Sequence, residues 1–132
     1  MKTLVVAAAV IECEGRFLLT RRQQGSHLAG AWEFPGGKCE PAETLTACLI
    51  RELREELAVE ATVHEEVLAT RYEYPDRLVE LHFLRCTIAT EPSAELGQEM
   101  RWVLGEELER LELPPADARL VRMLADGAVK RT

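Results

Sequence analysis

Residues 36–59 read GGKCEPAETLTACLIRELREELAV, and the fold turns on this stretch. Leu45, Leu49, Leu53 and Leu57 recur every four residues, the spacing of a helix with one apolar stripe. Pro41 suits a first helical turn, where its missing N–H is no loss, so the spacing predicts a helix over 41–57. On that helix Glu52, Glu55 and Glu56 stand at i, i+3 and i+4 and share one face beside the leucines. Like charges so placed cost a helix roughly 0.2–0.5 kcal/mol per pair. Arg51 offsets part of this by pairing with Glu55 at i+4. A divalent cation would offset far more, and Mg²⁺ or Mn²⁺ takes oxygen ligands of this kind. Three glutamates alone describe a solvated acidic face equally well.

Toward the N-terminus, residues 4–11 and 16–20 are apolar runs separated by Glu-Cys-Glu-Gly, a β-hairpin with Gly15 in the turn. A polar loop spans 21–30. Residues 31–34 then read as a short strand running into a Pro35-Gly36-Gly37 turn. Toward the C-terminus, 63–74 and 78–88 read as strands joined by a turn at 74–77, with a further strand at 101–104. A short helix is expected over 105–111, and Pro114-Pro115 opens a last helix that closes near Gly127. Helices interleaved with strands, without repeat or linker, imply one α/β domain over 1–132, a mixed β-sheet between α-helices.

Composition narrows the function. Glutamate outnumbers aspartate 20 to 3 and net charge is −7, which excludes extended binding of duplex nucleic acid. A small anionic substrate remains compatible if a cation reverses the field where it docks. Cys13, Cys39, Cys48 and Cys86 form no metal-spaced pairs, which argues against zinc and for reduced thiols in a cytoplasmic protein. After Lys2 only eight apolar residues precede Glu12, too few to span a bilayer. A buried first strand is expected there and no membrane partner, the protein acting as a monomer or weak homodimer.

The spacing Gly37, five residues, Glu43, seven residues, Arg51-Glu52-Leu53-Arg54-Glu55-Glu56 resembles the Nudix box, G-x5-E-x7-R-E-U-x-E-E-x-G-U with U bulky and apolar. One position departs: Ala58 stands where the box has the glycine that ends the helix, so a modified helix exit is expected. Thr20-Arg21-Arg22, His27, residues 32–38 (WEFPGGK), Tyr74-Pro75-Asp76-Arg77 and Pro114-Pro115-Ala116-Asp117 extend the resemblance to the MutT-like branch.

That resemblance implies a Nudix fold and a nucleoside triphosphate pyrophosphohydrolase, releasing nucleoside monophosphate and pyrophosphate. The substrate it implies is of the 8-oxo-dGTP type, in sanitation of the nucleotide pool, with CTP or a modified cytidine triphosphate as the alternative. A non-catalytic Nudix-fold binding module is the rival of another class. It has no need to keep three repelling carboxylates.

By the same resemblance, Glu52, Glu55, Glu56 and the Gly36 carbonyl hold Mg²⁺, with Mn²⁺ able to substitute. Glu52 relays a proton from the attacking water, while Arg51 and Glu43 orient the ligands. Arg22 contacts phosphate, and Glu33, Pro35 and Gly36 belong to the substrate surface. His27 is either a nucleotide contact or a solvated loop residue, and Phe34 either stacks on the base or packs in the core. A fourth carboxylate is expected from Glu99, with Glu95 as its rival. Asp117 either reads the base edge or caps the last helix.

Overall fold

The computed structural model describes residues 2–23, 25 and 29–127. Strands β1 (Lys2–Cys13), β2 (Arg16–Arg21), β3 (Trp32–Glu33) and β4 (Gly36–Lys38) precede helix α1 (Leu45–Leu57). Strands β5 (Ala61–Tyr74), β6 (Arg77–Ile88) and β7 (Met100–Leu104) follow, then 3₁₀ turns at Gly105–Arg110 and Pro115–Asp117, and helix α2 (Ala118–Ala125). The main sheet path runs β3-β2-β1-β6-β5, with β4 beside β1 and β7 beside β2. β1 and β6 run parallel from Lys2↔Arg77 to Ile11↔Cys86, and the other pairings are antiparallel.

The apolar run in β1 becomes a central strand because both its faces are covered. Ala7, Ala9 and Ile11 pack under α1 with Leu49, Leu53 and Leu57. Ala8 and Val10 face the opposite core with Phe34, Phe83, Leu120 and Leu124. The mixed sheet therefore lies between α1 and α2, as the patterning predicts. Glu14 and Gly15 both take positive φ, which a tight hairpin turn with right-handed strand twist requires.

Among the boundaries that differ from expectation, the helix expected from Pro114-Pro115 begins as a 3₁₀ turn and becomes α-helical only at Ala118, while three others lie next to the acidic helix. The helix begins at Leu45, not Pro41, because Thr44 caps it: Thr44 Oγ1 accepts from the Ala47 N–H at 3.1 Å. Residues 36–38 are a strand and not a turn, since their register with β1 (Ala8↔Gly36, Val6↔Lys38) satisfies their backbone. Ala58 keeps the left-handed exit (φ 55°) despite its Cβ, and its N–H still bonds Arg54 O. Such a residue costs about 1–2 kcal/mol of strain. Ser93 N–H to Leu57 O (2.9 Å) and Glu95 N–H to Glu56 O (3.0 Å) tie that exit to the 93–98 loop. Among the described residues no helix is long and apolar enough to cross a membrane.

Candidate active site

The acidic helix and the Gly-Gly strand meet at Glu52. A Cβ on Gly37 would overlap the Glu52 carboxylate, and one on Gly36 (φ 153°) would strike the β1 backbone at Ala7. Gly36 is thus demanded by close approach of backbone, while a side chain at Gly37 would displace the Glu52 carboxylate from its place. Arg51 organises the rest. It grips Glu43 bidentately at 2.7 and 2.8 Å and reaches Glu52 and Glu55 at 3.0 Å each and Lys38 O at 3.2 Å. Those bonds hold the Glu43 carboxyl down at about 2. Glu56 is the opposite case: burial first, then the charges of Glu52 and Glu33, push it up to about 9. Burial also raises Glu52, against the pull of Arg51.

Half-buried carboxylates that resist ionising beside one another are a donor set suited to a hard divalent cation. The residues fit such an ion: Glu52 and Glu56 crowd together under the glycine strand, with Glu55 one helical position away. Among the described residues no three acidic, histidine or cysteine side chains already close into a cage, and Glu55 is turned to Arg51.

Behind the strand lies a cavity of about 350 Å³ bordered by Arg22, Glu33, Phe34, Tyr74, Arg77 and Asp117, over an apolar floor of Val79, Leu81 and Phe83. Arg22 Nη1 pairs with Glu33 Oε1 at 2.6 Å. Asp117 is only 5% exposed. Burial first, then Glu33, raises its carboxyl to about 7 against the opposing pull of Arg22. It sits at the N-cap of α2 but makes no side-chain capping bond. The capping alternative is therefore set aside. Phe34 is 4% exposed and meets Phe83 edge-on at 5.8 Å, so it is core and cavity wall at once.

Other expected residues fall elsewhere. Pro35 is buried and accepts the Ala9 N–H at 2.8 Å; it serves the sheet and is not among the cavity-lining residues. Glu99 pairs with Arg21 at 3.1 Å, is largely exposed, and lines an outer cleft with Arg22, Gln23 and Gln98 instead of joining Glu52 and Glu56. Glu95 accepts from Ser93 Oγ at 2.8 Å. His27 lies outside the described residues.

Two residues to which the sequence assigns no role reach the site. The Gln98 amide donates to Glu56 O at 3.1 Å and accepts from Leu96 N–H at 3.0 Å, latching the 93–98 loop to the end of α1. Tyr74 is buried beside Asp117, which after burial is the main cause of its raised pKa. Its place in the Tyr74-Pro75-Asp76-Arg77 stretch of the resemblance is the signal that could have found it.

An acidic helix beneath a glycine strand, set against a polar-rimmed cavity, defines a hydrolase of the Nudix type. A family model described as NUDIX domain matches residues 6–123. The chain belongs to that family, in its MutT-like group. It is 42% identical over 122 residues, 92% of this chain and 90% of the relative, to the CTP pyrophosphohydrolase of Escherichia coli. It is 38% identical over 125 residues, 93% of this chain and 92% of the relative, to the 8-oxo-dGTP diphosphatase of Haemophilus influenzae. Its fold matches the crystal structure of a MutT protein from Methanosarcina mazei with a TM-score of 0.85 at 25% identity, covering 98% and 97% of the two chains.

Proposed function

We propose that this chain hydrolyses a nucleoside triphosphate to the monophosphate and pyrophosphate, acting on an oxidised purine nucleotide of the 8-oxo-dGTP type in a cytoplasmic nucleotide pool. The observation that carries the reading is the Glu52 carboxylate seated against Gly37 and crowded by Glu56, next to a cavity bordered by Arg22 and Asp117. Glu52, Glu55, Glu56 and the Gly36 carbonyl are the groups that would hold Mg²⁺. The bound ion would neutralise triphosphate charge and polarise the phosphoryl group. Glu52 takes the proton of the attacking water, while Arg51 and Glu43 keep its carboxylate in place. Arg22 offers its guanidinium to phosphate.

Asp117 bears on base choice. An ionised carboxylate only accepts, which suits the exocyclic amine of cytosine. With its pKa raised to about 7, the neutral acid is also populated near neutrality, and it can donate to O6 while accepting from N7–H of 8-oxoguanine. The ionised form, together with the 42% identical CTP pyrophosphohydrolase, supports a cytidine triphosphate as the second reading. A hydrolysis screen over normal and oxidised nucleoside triphosphates with Mg²⁺, scored by pyrophosphate, tests both. Highest kcat/KM on 8-oxo-dGTP supports the first reading, and on CTP or its damaged forms the second. No release from any triphosphate rejects the function.

A further inference from the structure

Thr20 lies on β2 directly opposite Glu33 on β3 and Met100 on β7. Its residue is 1% exposed, and its hydroxyl has no hydrogen-bond partner among the described residues. A buried hydroxyl left unpaired is costly and rare, so the position calls for a ligand. Thr20 borders a second cavity of about 160 Å³ shared with Gln23, Glu33, Glu56, Leu96, Gln98 and two arginines, of which Arg21 bonds Glu99 and Gly30 O and Arg22 bonds Glu33. That volume exceeds the roughly 30 Å³ of one liquid water.

The polar groups bordering it restrict what can sit there. Both Gln98 amide atoms are engaged, one by Glu56 O and one by Leu96 N–H. Leu96 O is taken by Gln23 Nε2 at 2.7 Å. Glu33 and Glu56 present carboxyl groups, which accept, and which donate as well where protonated. A group joining the Thr20 hydroxyl to these carboxyl groups must be able both to donate and to accept. Water does this; an apolar group does not.

We infer that Thr20 is a positioning residue, its hydroxyl holding an ordered water that bridges to Glu56 and Glu33 and so fixes the Glu56 carboxyl group at the reaction centre. The catalytic consequence rests on the proposed hydrolysis; the water itself does not.

The test has two arms. A high-resolution crystal structure of the metal-free wild type should show a water within about 3.2 Å of Thr20 Oγ1 and of a Glu56 or Glu33 oxygen. The isosteric Thr20→Val should lose that water. In turnover, Thr20→Val should lower kcat about 10-fold with KM changed less than about 2-fold, and Thr20→Ser should restore most of kcat. A dry Thr20 site overturns the inference, as does unchanged kcat in Thr20→Val. Equal losses in the Val and Ser variants would mark a packing role and overturn it too. If Thr20→Val does not fold, the wild-type crystal and Thr20→Ser still decide. A protein inactive on every triphosphate refutes the hydrolase reading while the crystallographic arm stands.

Discussion

Glu56 and Asp117 are both buried acids with raised pKa values, yet they sit in differently built regions. Around Glu56 the acidic neighbours Glu52, Glu33 and Glu55 all raise it. Arg51 is spent on Glu43, Glu52 and Glu55, which it bonds directly. Around Asp117 one neighbour, Glu33, raises and another, Arg22, lowers. The helix region thus carries an excess of negative charge that a divalent ion would relieve. The cavity region holds a cation of its own and titrates near neutrality. One region is built to take charge from outside and the other to present a proton that comes and goes. Glu33 touches both balances, paired to Arg22 and repelling Glu56 and Asp117 alike.

The contrast breaks most sharply at Glu56. Glu56→Gln keeps the shape and removes the charge, so Mg²⁺-dependent turnover should fall at least ~100-fold while the metal-free Tm holds or rises. Kinetics with a parallel melting curve check this, and wild-type turnover that survives EDTA would refute the cation requirement.

A mid-sized effect is expected at Asp117. Asp117→Asn should change the kcat/KM ratio between 8-oxo-dGTP and CTP by ~10-fold or more, because buried polar readout discriminates strongly. The folded pKa of about 7 lies above the ordinary 3.8, so the folded state binds the extra proton. The stability this group contributes is full below pH 3.8 and is lost as pH rises from there through about 7. The asparagine variant should flatten that part of a Tm-against-pH series. An unmoved substrate ratio would remove Asp117 from base reading.

The smallest effect separates the outer cleft from both regions. Glu99→Gln breaks an exposed ion pair with Arg21, worth about 0–1 kcal/mol, and should cost turnover less than ~3-fold, much as Glu95→Gln does. A loss above ~10-fold in Glu99→Gln alone would mean that Glu99 leaves Arg21 to join the helix glutamates.

What could be read in the chain beforehand followed the range of the interactions. The leucine stripe of α1, the Arg51–Glu55 pair at i+4 and the hairpin at Gly15 are all local, and each matches the structure. The start of α1 is not legible in the sequence because Pro41 and Thr44 are both good starting residues, and only Thr44 makes the capping bond. The Gly36-Gly37 pair read as a turn because glycines usually mark one. Its true role, admitting β1 on one side and Glu52 on the other, depends on strands far apart in sequence.

The sequence by itself determined an α/β domain, the acidic helix, and which glutamates lie on one of its faces, because side-chain period and spacing are properties of neighbouring residues. Tertiary structure alone decided that Asp117 turns into the cavity instead of capping α2, that Gln98 latches the end of α1, and that the Thr20 hydroxyl is buried beside Glu33. Those outcomes rest on burial and on contacts closed by the sheet, where the cost of an unpaired polar group is set by whatever distant residues arrive beside it.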